Sequence, residues 1–283
     1  AIWDFSSRIR QHAWRGHGGR INSLAVTPDG EQVLSVSEDM TINAWVLRTG
    51  ALVHTKKTHG GPLYSVVVTP DGQHALAASA DATISIWNLK GWVETQILIG
   101  HGGAVRVVAL TPDGLRCVTG SADRTVKIWY LAEQQSVRSA TYMRPFDSVD
   151  EFPPETPAEA ESSLYVPKDL EPSEATFLTT GHADAITAMM IVPPGQYAIS
   201  ASRDYTLKVW DLQRGRLHFT LRGHSAPVID VAVSHDGLLA LSASLDGMIK
   251  LWDLADGNCI RSLSEHAGQS VRAVSLTPDG KSV

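Results

Sequence analysis

Histidine, a hydroxyl residue and aspartate recur at one spacing along this chain, and these are the side chains that many hydrolases use for nucleophilic catalysis. After each such histidine, a serine or threonine follows at 18 residues, an aspartate at 22 and a tryptophan at 28. The four complete sets are His17, Ser35, Asp39 and Trp45; His101, Thr119, Asp123 and Trp129; His182, Ser200, Asp204 and Trp210; and His224, Ser242, Asp246 and Trp252. Together, such residues could serve as a nucleophile, a base and the acid that orients the base.

The repetition itself argues against catalysis, because an enzyme needs one such site and not four. The chain also lacks the Gly-x-Ser-x-Gly turn that exposes a nucleophilic serine in many hydrolases. The tryptophan supplies a donor-only N–H and the aspartate an acceptor, so a hydroxyl and a histidine between them can complete a hydrogen-bonded chain. A buried polar network of this kind is stabilising when every member is satisfied. We therefore expect structural sets and no enzyme activity.

One repeat departs from the pattern. His59, Asp81 and Trp87 keep the spacing, but Ala77 stands where the hydroxyl is expected. The prediction is that this network is one member short and that its repeat is the softest of the array.

The tryptophans show that one unit is used several times. Trp3, Trp45, Trp87 and Trp129 are 42 residues apart, as are Trp210 and Trp252, and such a period indicates a repeat architecture. Within residues 16–57, short apolar runs are separated by turn residues, above all by Thr27-Pro28-Asp29-Gly30. Such punctuation predicts four short antiparallel strands per unit.

The Gly-His pairs, the Thr-Pro-Asp-Gly turns at 27, 69, 111 and 277, and the pairs Trp210-Asp211 and Trp252-Asp253 resemble the WD-repeat family. The resemblance implies an all-β fold, a β-propeller whose blades are four-stranded antiparallel sheets around a central channel. About six blades are represented over residues 1–283, with incomplete blades at 1–15 and 266–283. We expect the chain to be a fragment of a seven-bladed or longer array. The resemblance also implies that the histidine sets form tetrads tying strands together.

Residues 136–174 interrupt the period with 39 extra residues after Trp129. The segment carries nine acidic residues, three basic residues and six prolines, a composition that buries little apolar surface. We expect a disordered acidic insert between the third and fourth strands of its blade. The insert is either a neutral spacer or a regulatory segment. Thr156-Pro157 is a minimal proline-directed phosphorylation dipeptide, and the two alternatives stay open.

The resemblance places partner binding on the top face, which is built from the loop after each histidine and the turn before each aspartate. The predicted contact residues are Arg20, Asn22, Glu38, Tyr64, Arg106, Thr187, Arg203, Ile229 and Arg272. Arginine and tyrosine commonly anchor interfaces. Several arginines on one rim of an acidic protein favour an acidic or phosphorylated peptide partner, although solvated arginines decorate many surfaces. Trp92, which replaces a turn glycine, is expected on the opposite rim, partly exposed, as a second contact or packed on its own blade.

Composition limits the classes of partner, cofactor and cellular compartment that suit the chain. The net charge of −6 argues against nucleic acid and anionic membranes as partners, since both need clustered lysine and arginine. Two cysteines, Cys117 and Cys259, offer no metal-binding spacing and suit a reducing compartment, which favours the cytoplasm, and the nucleus fits as well. We expect no metal and no cofactor.

Two functions of different classes fit these observations. The first is a non-catalytic scaffold for protein–protein interaction. The second is the regulatory or sensor array of a larger signalling ATPase of the NACHT or NB-ARC type, because such ATPases carry long arrays of near-uniform repeats. No phosphate-binding loop lies within residues 1–283, so sequence upstream of Ala1 would separate the two.

Overall fold

The computed structural model describes residues 2–3, 8–58, 60–131, 142–143, 175–177, 181–264 and 269–277. Within them, all regular structure is strand, arranged as five sheets of at least four strands and one two-stranded pair. The pair joins β1 (Ile2–Trp3) to β2 (Arg10–His12). The five larger sheets are the blades expected of a propeller.

Each blade has its first strand innermost, and neighbouring strands within the four-strand repeat are antiparallel. The first blade contains β3 (Ile21–Val26), β4 (Gln32–Ser37), β5 (Thr41–Val46) and β6 (Leu52–Lys57). The second contains β7 (Leu63–Val68), β8 (His74–Ser79), β9 (Thr83–Asn88) and β10 (Val93–Ile99). The third contains β11 (Val105–Leu110), β12 (Arg116–Ser121), β13 (Val126–Tyr130) and β15 (Ala175–Phe177), with β14 (Tyr142–Met143) preceding β15 in the chain. The fourth contains β16 (Ile186–Val192), β17 (Tyr197–Ser202), β18 (Leu207–Asp211) and β19 (Arg216–Leu221). The fifth contains β20 (Val228–Val233), β21 (Leu239–Ser244), β22 (Ile249–Asp253) and β23 (Cys259–Leu263).

Side-chain hydrogen bonds close the turns that set this register. Thr27 Oγ1 donates to Asp29 Oδ1 at 2.5 Å, and Gly30 takes a φ of 71°, which suits a residue without a Cβ. The turn after each second strand also needs a left-handed residue, filled by Met40, Ala82, Arg124, Tyr205 and Gly247. Such a turn adds local strain that the surrounding sheet holds in place.

The cores lie between blades, because each sheet carries an apolar face that its neighbour covers. Leu63 and Val66 of the inner strand β7 are 0% and 3% exposed against the first blade. The equivalent residues of the first blade, Ile21 and Leu24, are 48% and 62% exposed. The outward face of the first blade is therefore an uncovered copy of an interface that is buried elsewhere in the chain.

Hydrogen bonds along the channel wall join the first blade to the second, the second to the third, and the fifth to the strand that follows it. The Ser23 Oγ accepts the N–H of Val66 at 3.3 Å, and the Ser65 Oγ accepts that of Val108 at 3.3 Å. The Asp230 Oδ2 accepts the N–H of Val274 at 3.0 Å. Residues 269–277 therefore follow the fifth blade in the position of a next inner strand, with one extra residue in the spacing.

The interruption of the period lies between β13 and β15, since Lys127 and Trp129 pair with Phe177 and Ala175. Of the predicted insert 136–174, only Tyr142–Met143 falls within the described residues. This pair was not predicted as a strand, yet it forms β14, which runs parallel to β10 as a fifth strand of the second blade.

Trp92 differs from the prediction of a partly exposed residue on the rim. Its side chain is 4% exposed and stacks on His54 of the first blade, with ring centroids 4.7 Å apart. Its φ of 49° matches the left-handed φ of 73° at Gly50, which holds the same turn position. The indole fills the groove between two blades, and burial of its apolar surface offsets the cost of the left-handed backbone. An exposed ring would not have supplied this stabilisation.

Candidate functional site

The fourth blade shows how the histidine set is connected. The Trp210 Nε1–H donates to Ser200 Oγ at 2.8 Å, and Ser200 Oγ lies 2.8 Å from His182 Nε2. His182 Nδ1 lies 2.8 Å from Asp204 Oδ2, which also accepts the N–H of Ala183. Because the indole can only donate and the carboxylate can only accept, the proton order is determined: serine donates to Nε2 and Nδ1–H donates to aspartate.

Three further blades repeat this arrangement. In each, the hydroxyl lies 2.8 Å from the indole nitrogen and 2.7–2.8 Å from the histidine Nε2. The histidine Nδ1 reaches the aspartate at 2.8–3.1 Å. The sets brought together are His17, Ser35, Asp39 and Trp45; His101, Thr119, Asp123 and Trp129; and His224, Ser242, Asp246 and Trp252.

Burial and hydrogen bonding fix the charges in these networks. Burial lowers the pKa of His182 below its usual value, outweighing the opposite effect of Asp204, so the imidazole is neutral at pH 7. Burial alone would raise the pKa of Asp204, but the hydrogen bonds from His182 and Thr206 outweigh it and hold that pKa well below its usual range. The tetrads of His101, His182 and His224 are thus neutral histidines beside ionised aspartates.

In the second blade, a different residue supplies the hydroxyl that accepts the indole N–H. The Trp87 Nε1–H donates to Ser85 Oγ at 2.8 Å, and Ser85 lies directly across the strand pair from Ala77. The set lacks the hydroxyl at position 77, as the sequence indicates, but the Trp87 N–H keeps a hydroxyl acceptor. Asp81 accepts from the backbone and hydroxyl of Thr83 at 3.0 and 2.7 Å, whereas His59 lies outside the described residues.

Serine, histidine and aspartate thus meet at triad distances, but the hydroxyl has no access to a substrate. Ser200 and Ser242 are 0% exposed, and the indole N–H occupies each of these oxygens. The described part of the chain also contains no group of three or more histidine, cysteine, aspartate or glutamate residues that could hold a metal ion. The arrangement can carry a network of hydrogen bonds, and it offers no nucleophile to solvent.

A cavity of about 470 Å³ lies where the inner strands of all five blades converge. We call its end near the tetrad aspartates the channel mouth, defined by Asn22, Tyr64, Arg106 and Thr187, which hold one position in four successive inner strands. The Arg106 guanidinium carbon stands 4.5 Å from the centre of the Tyr64 ring. This is a cation–π contact, and it joins the predicted tyrosine to one of the four predicted arginines, two residue types that commonly anchor interfaces.

The other two members of the channel mouth have structural partners. The Asn22 Nδ2–H donates to the Leu63 carbonyl at 2.8 Å, and the Thr187 Oγ1–H donates to the Val228 carbonyl at 2.6 Å. Both bonds join neighbouring blades. These predicted contact residues therefore have a donor committed to the scaffold.

The remaining predicted contact residues lie around the channel mouth without lining the cavity. Arg20, Glu38, Arg203 and Arg272 are exposed, and Ile229 is half-buried. The Glu38 N–H donates to the Arg20 carbonyl at 2.9 Å, so the loop and turn of the first blade meet as expected. Their side chains form a discontinuous rim, and none of the described contacts joins them into one pocket.

Two rim residues were missed from the sequence. Arg124 and Tyr205 occupy the left-handed turn position after the tetrad aspartate and are exposed, Tyr205 by 47%. The sequence could have identified them, because the residue directly after each tetrad aspartate lies in the same turn as the predicted contact residues. An exposed tyrosine beside Arg203 extends the rim over the third and fourth blades.

Comparison with known proteins agrees with this geometry. The family model described as WD domain, G-beta repeat matches residues 8–45, 50–88, 92–130, 174–211 and 215–253. Ribosome biogenesis protein BOP1 homologs of Drosophila melanogaster and Drosophila willistoni are each 35% identical over 52 residues. That alignment covers 18% of this chain and 7% of either relative, so the chain matches only a small part of their length.

No helix of the described residues is long and apolar enough to cross a membrane. The five matched segments together cover more than half of the 283 residues, and each matched segment contributes strands to one or two of the blades described above. WD repeats generally provide non-catalytic surfaces for protein–protein interaction. The chain belongs to the WD-repeat family.

Proposed function

We propose that the chain is a non-catalytic scaffold whose top face binds an acidic or phosphorylated peptide at the channel mouth. The observation that carries this proposal is the stacking of Arg106 on Tyr64 beside the central cavity. Stacking holds a guanidinium in one orientation, so less conformational entropy is lost when it binds a carboxylate or a phosphate. Within the described residues, no carboxylate forms an ion pair with Arg106.

The rim adds to this preference for anions. Arg20, Arg203 and Arg272 are exposed at the same end of the channel as Arg106. The four ionised tetrad aspartates near this end accept backbone and side-chain hydrogen bonds, which compensate their charge locally. Among the predicted contact residues, the arginines outnumber the single exposed carboxylate, that of Glu38, and they steer acidic partners toward the face.

The depth of binding is limited by Asp230. Its carboxylate lies in the channel wall and accepts the N–H groups of Val274 and Val231 at 3.0 and 2.9 Å. A ligand anion would be repelled by this carboxylate if it entered the cavity. We place the anionic group of the ligand at the mouth, over Arg106, and an uncharged part of the peptide above the cavity.

A matched pair of charge reversals tests the proposal. Arg106→Glu should abolish binding of a labelled glutamate-rich decapeptide and of its serine-phosphorylated counterpart in fluorescence anisotropy. Lys90→Glu makes the same kind of charge reversal in an exposed turn between the third and fourth strands, away from the channel mouth, and should leave binding unchanged. Equal loss in both variants would indicate only a general effect of net charge and would overturn the assignment.

The second function, a sensor array of a NACHT or NB-ARC type ATPase, stays a prediction. The near-uniform 42-residue period favours it. A phosphate-binding loop in the sequence of the full-length gene product would decide for it, and nucleotide hydrolysis by that product would test it.

A further inference from the structure

The outer strand of the second blade departs from those of the first, fourth and fifth blades at two positions. Ten residues after the tetrad tryptophan, the first, fourth and fifth blades carry Thr55, Thr220 and Ser262; twelve residues after it, they carry Lys57, Arg222 and Ser264. The second blade carries Ile97 and Ile99 instead. Both isoleucines remain half-buried on an outer strand.

The isoleucine at position 97 is compatible with the serine at position 85, which faces it across the strand pair. In the fourth and fifth blades, a lysine occupies the position of Ser85. Lys208 Nζ donates to Thr220 Oγ1 at 3.1 Å, and Lys250 Nζ donates to Ser262 Oγ at 2.8 Å. Ser85 has no ammonium group to satisfy, so no hydroxyl is required opposite it and an isoleucine is tolerated.

This tolerance leaves the second blade with an unprotected edge. The strands β6, β19 and β23 each contain at least one lysine or arginine, the residues that commonly discourage edge-to-edge pairing. The strand β10 contains neither, and its last three residues are Ile97, Leu98 and Ile99. Glu94 is the one charged residue of the strand, and it lies away from this apolar end. An apolar, uncharged strand end is a template for another extended strand.

The structure places a strand on this edge and on no other described outer edge. Tyr142 pairs with Ile97, and Met143 with Leu98, in a parallel ladder. The pairing falls on the apolar half of β10. It also comes from the insertion of the neighbouring third blade, so the insertion reaches across to the outside of the second blade.

We propose that the outer edge of the second blade is a strand-docking site whose resident occupant is the Tyr142–Met143 segment of the insertion. The segment pairs with the apolar end of β10 and prevents that end from pairing with a second copy of the chain. A partner that used this edge would have to offer an extended, apolar strand and displace the segment. This site lies on the outer edge of a blade and is separate from the channel mouth.

Hydrogen exchange on the full chain tests the occupant. Proline has no N–H and fits poorly in a ladder, so Met143→Pro should speed amide exchange of residues 96–99 about tenfold. Residues 54–57 of the uncovered β6 serve as an internal reference and should be unchanged. Ser162→Pro places a proline elsewhere in the insertion and should leave residues 96–99 protected. Equal exchange in the Met143→Pro variant and the original chain would overturn the proposal.

Binding in trans tests the site itself. A labelled peptide of residues 137–146 should bind the Met143→Pro chain saturably and restore the protection of residues 96–99. The same peptide carrying the proline, and a peptide of reversed sequence, should not bind. Ile97→Thr with Ile99→Lys gives β10 the residues of the first blade and should weaken peptide binding at least tenfold if the apolar edge drives docking. Equal binding of all three peptides would show non-specific association and would overturn the proposal.

Discussion

Ala77 and Ser85 face each other across β8 and β9, and the hydroxyl that other blades carry at the position of Ala77 is carried here by Ser85. The indole of Trp87 therefore receives its acceptor from the same strand, two residues away. The acceptor of the Trp87 indole thus lies on a different strand than in the other blades, and the buried indole N–H keeps a partner.

This relationship predicts a rescue. Ser85→Ala should lower the free energy of unfolding by roughly 1–3 kcal/mol, because it leaves a buried indole N–H without an acceptor. Ala77→Ser alone should be neutral or slightly stabilising, and combined with Ser85→Ala it should recover most of the loss. Urea unfolding of the four chains gives the coupling energy. Strict additivity of the two substitutions would contradict a shared indole partner.

The tetrad tryptophans should be among the most sensitive positions in the chain. Trp210→Ala should lower the free energy of unfolding by about 3–5 kcal/mol, since it opens a cavity and leaves Ser200 Oγ without the N–H that it accepts. Trp210→Phe keeps one aromatic ring but loses part of the indole volume and the N–H, so its loss should be smaller than that of Trp210→Ala. Tyr130→Ala, at a side chain that is 43% exposed, serves as the control. An unchanged unfolding midpoint for Trp210→Ala would refute the structural role of the network.

Acid should destabilise the blades before the aspartates are protonated. Burial lowers the pKa of His101, His182 and His224 in the folded chain, whereas an unfolded histidine titrates near 6.5. As the pH falls below about 6.5, the unfolded chain therefore binds protons that the folded chain does not, and stability decreases. The aspartates, whose pKa is lowered, contribute a further loss only below about pH 4.

Melting temperatures between pH 7.5 and 5.0 measure this histidine contribution. They should fall with pH, and the slope should decrease in His182→Asn. His235→Asn changes an exposed histidine outside the tetrads and should retain the slope. A melting temperature that is constant over this range would contradict neutral buried histidines.

The uncovered face of the first blade should make the 283-residue chain associate. Leu24 is 62% exposed, whereas Val66, Val108 and Val231, which hold the same position, are each 3% exposed. Sedimentation should show association that increases with concentration, and Leu24→Ser should reduce it. Leu238→Ser removes a leucine that is 58% exposed in a turn and should have little effect. A monomer at high concentration would contradict this prediction.

The sequence by itself predicted the repeat and the partners inside the four blades that carry a complete set. A constant interval between histidine, hydroxyl, aspartate and tryptophan places the same residue on the same strand in every unit, so His182, Ser200, Asp204 and Trp210 could be assigned without coordinates. The all-β fold follows from the same regularity, because turn residues divide each unit into four short strands.

Only the tertiary structure decided relationships across strands and between blades. Ser85 could replace the missing hydroxyl because strand register sets it opposite Ala77, and register depends on pairing geometry rather than on spacing. Trp92 was expected on a rim, but it fills a groove that exists only when two blades pack. Exposure of Leu24 likewise depends on which surface lies against it. Local spacing determines which strand a residue joins, whereas packing between distant segments determines what that residue contacts.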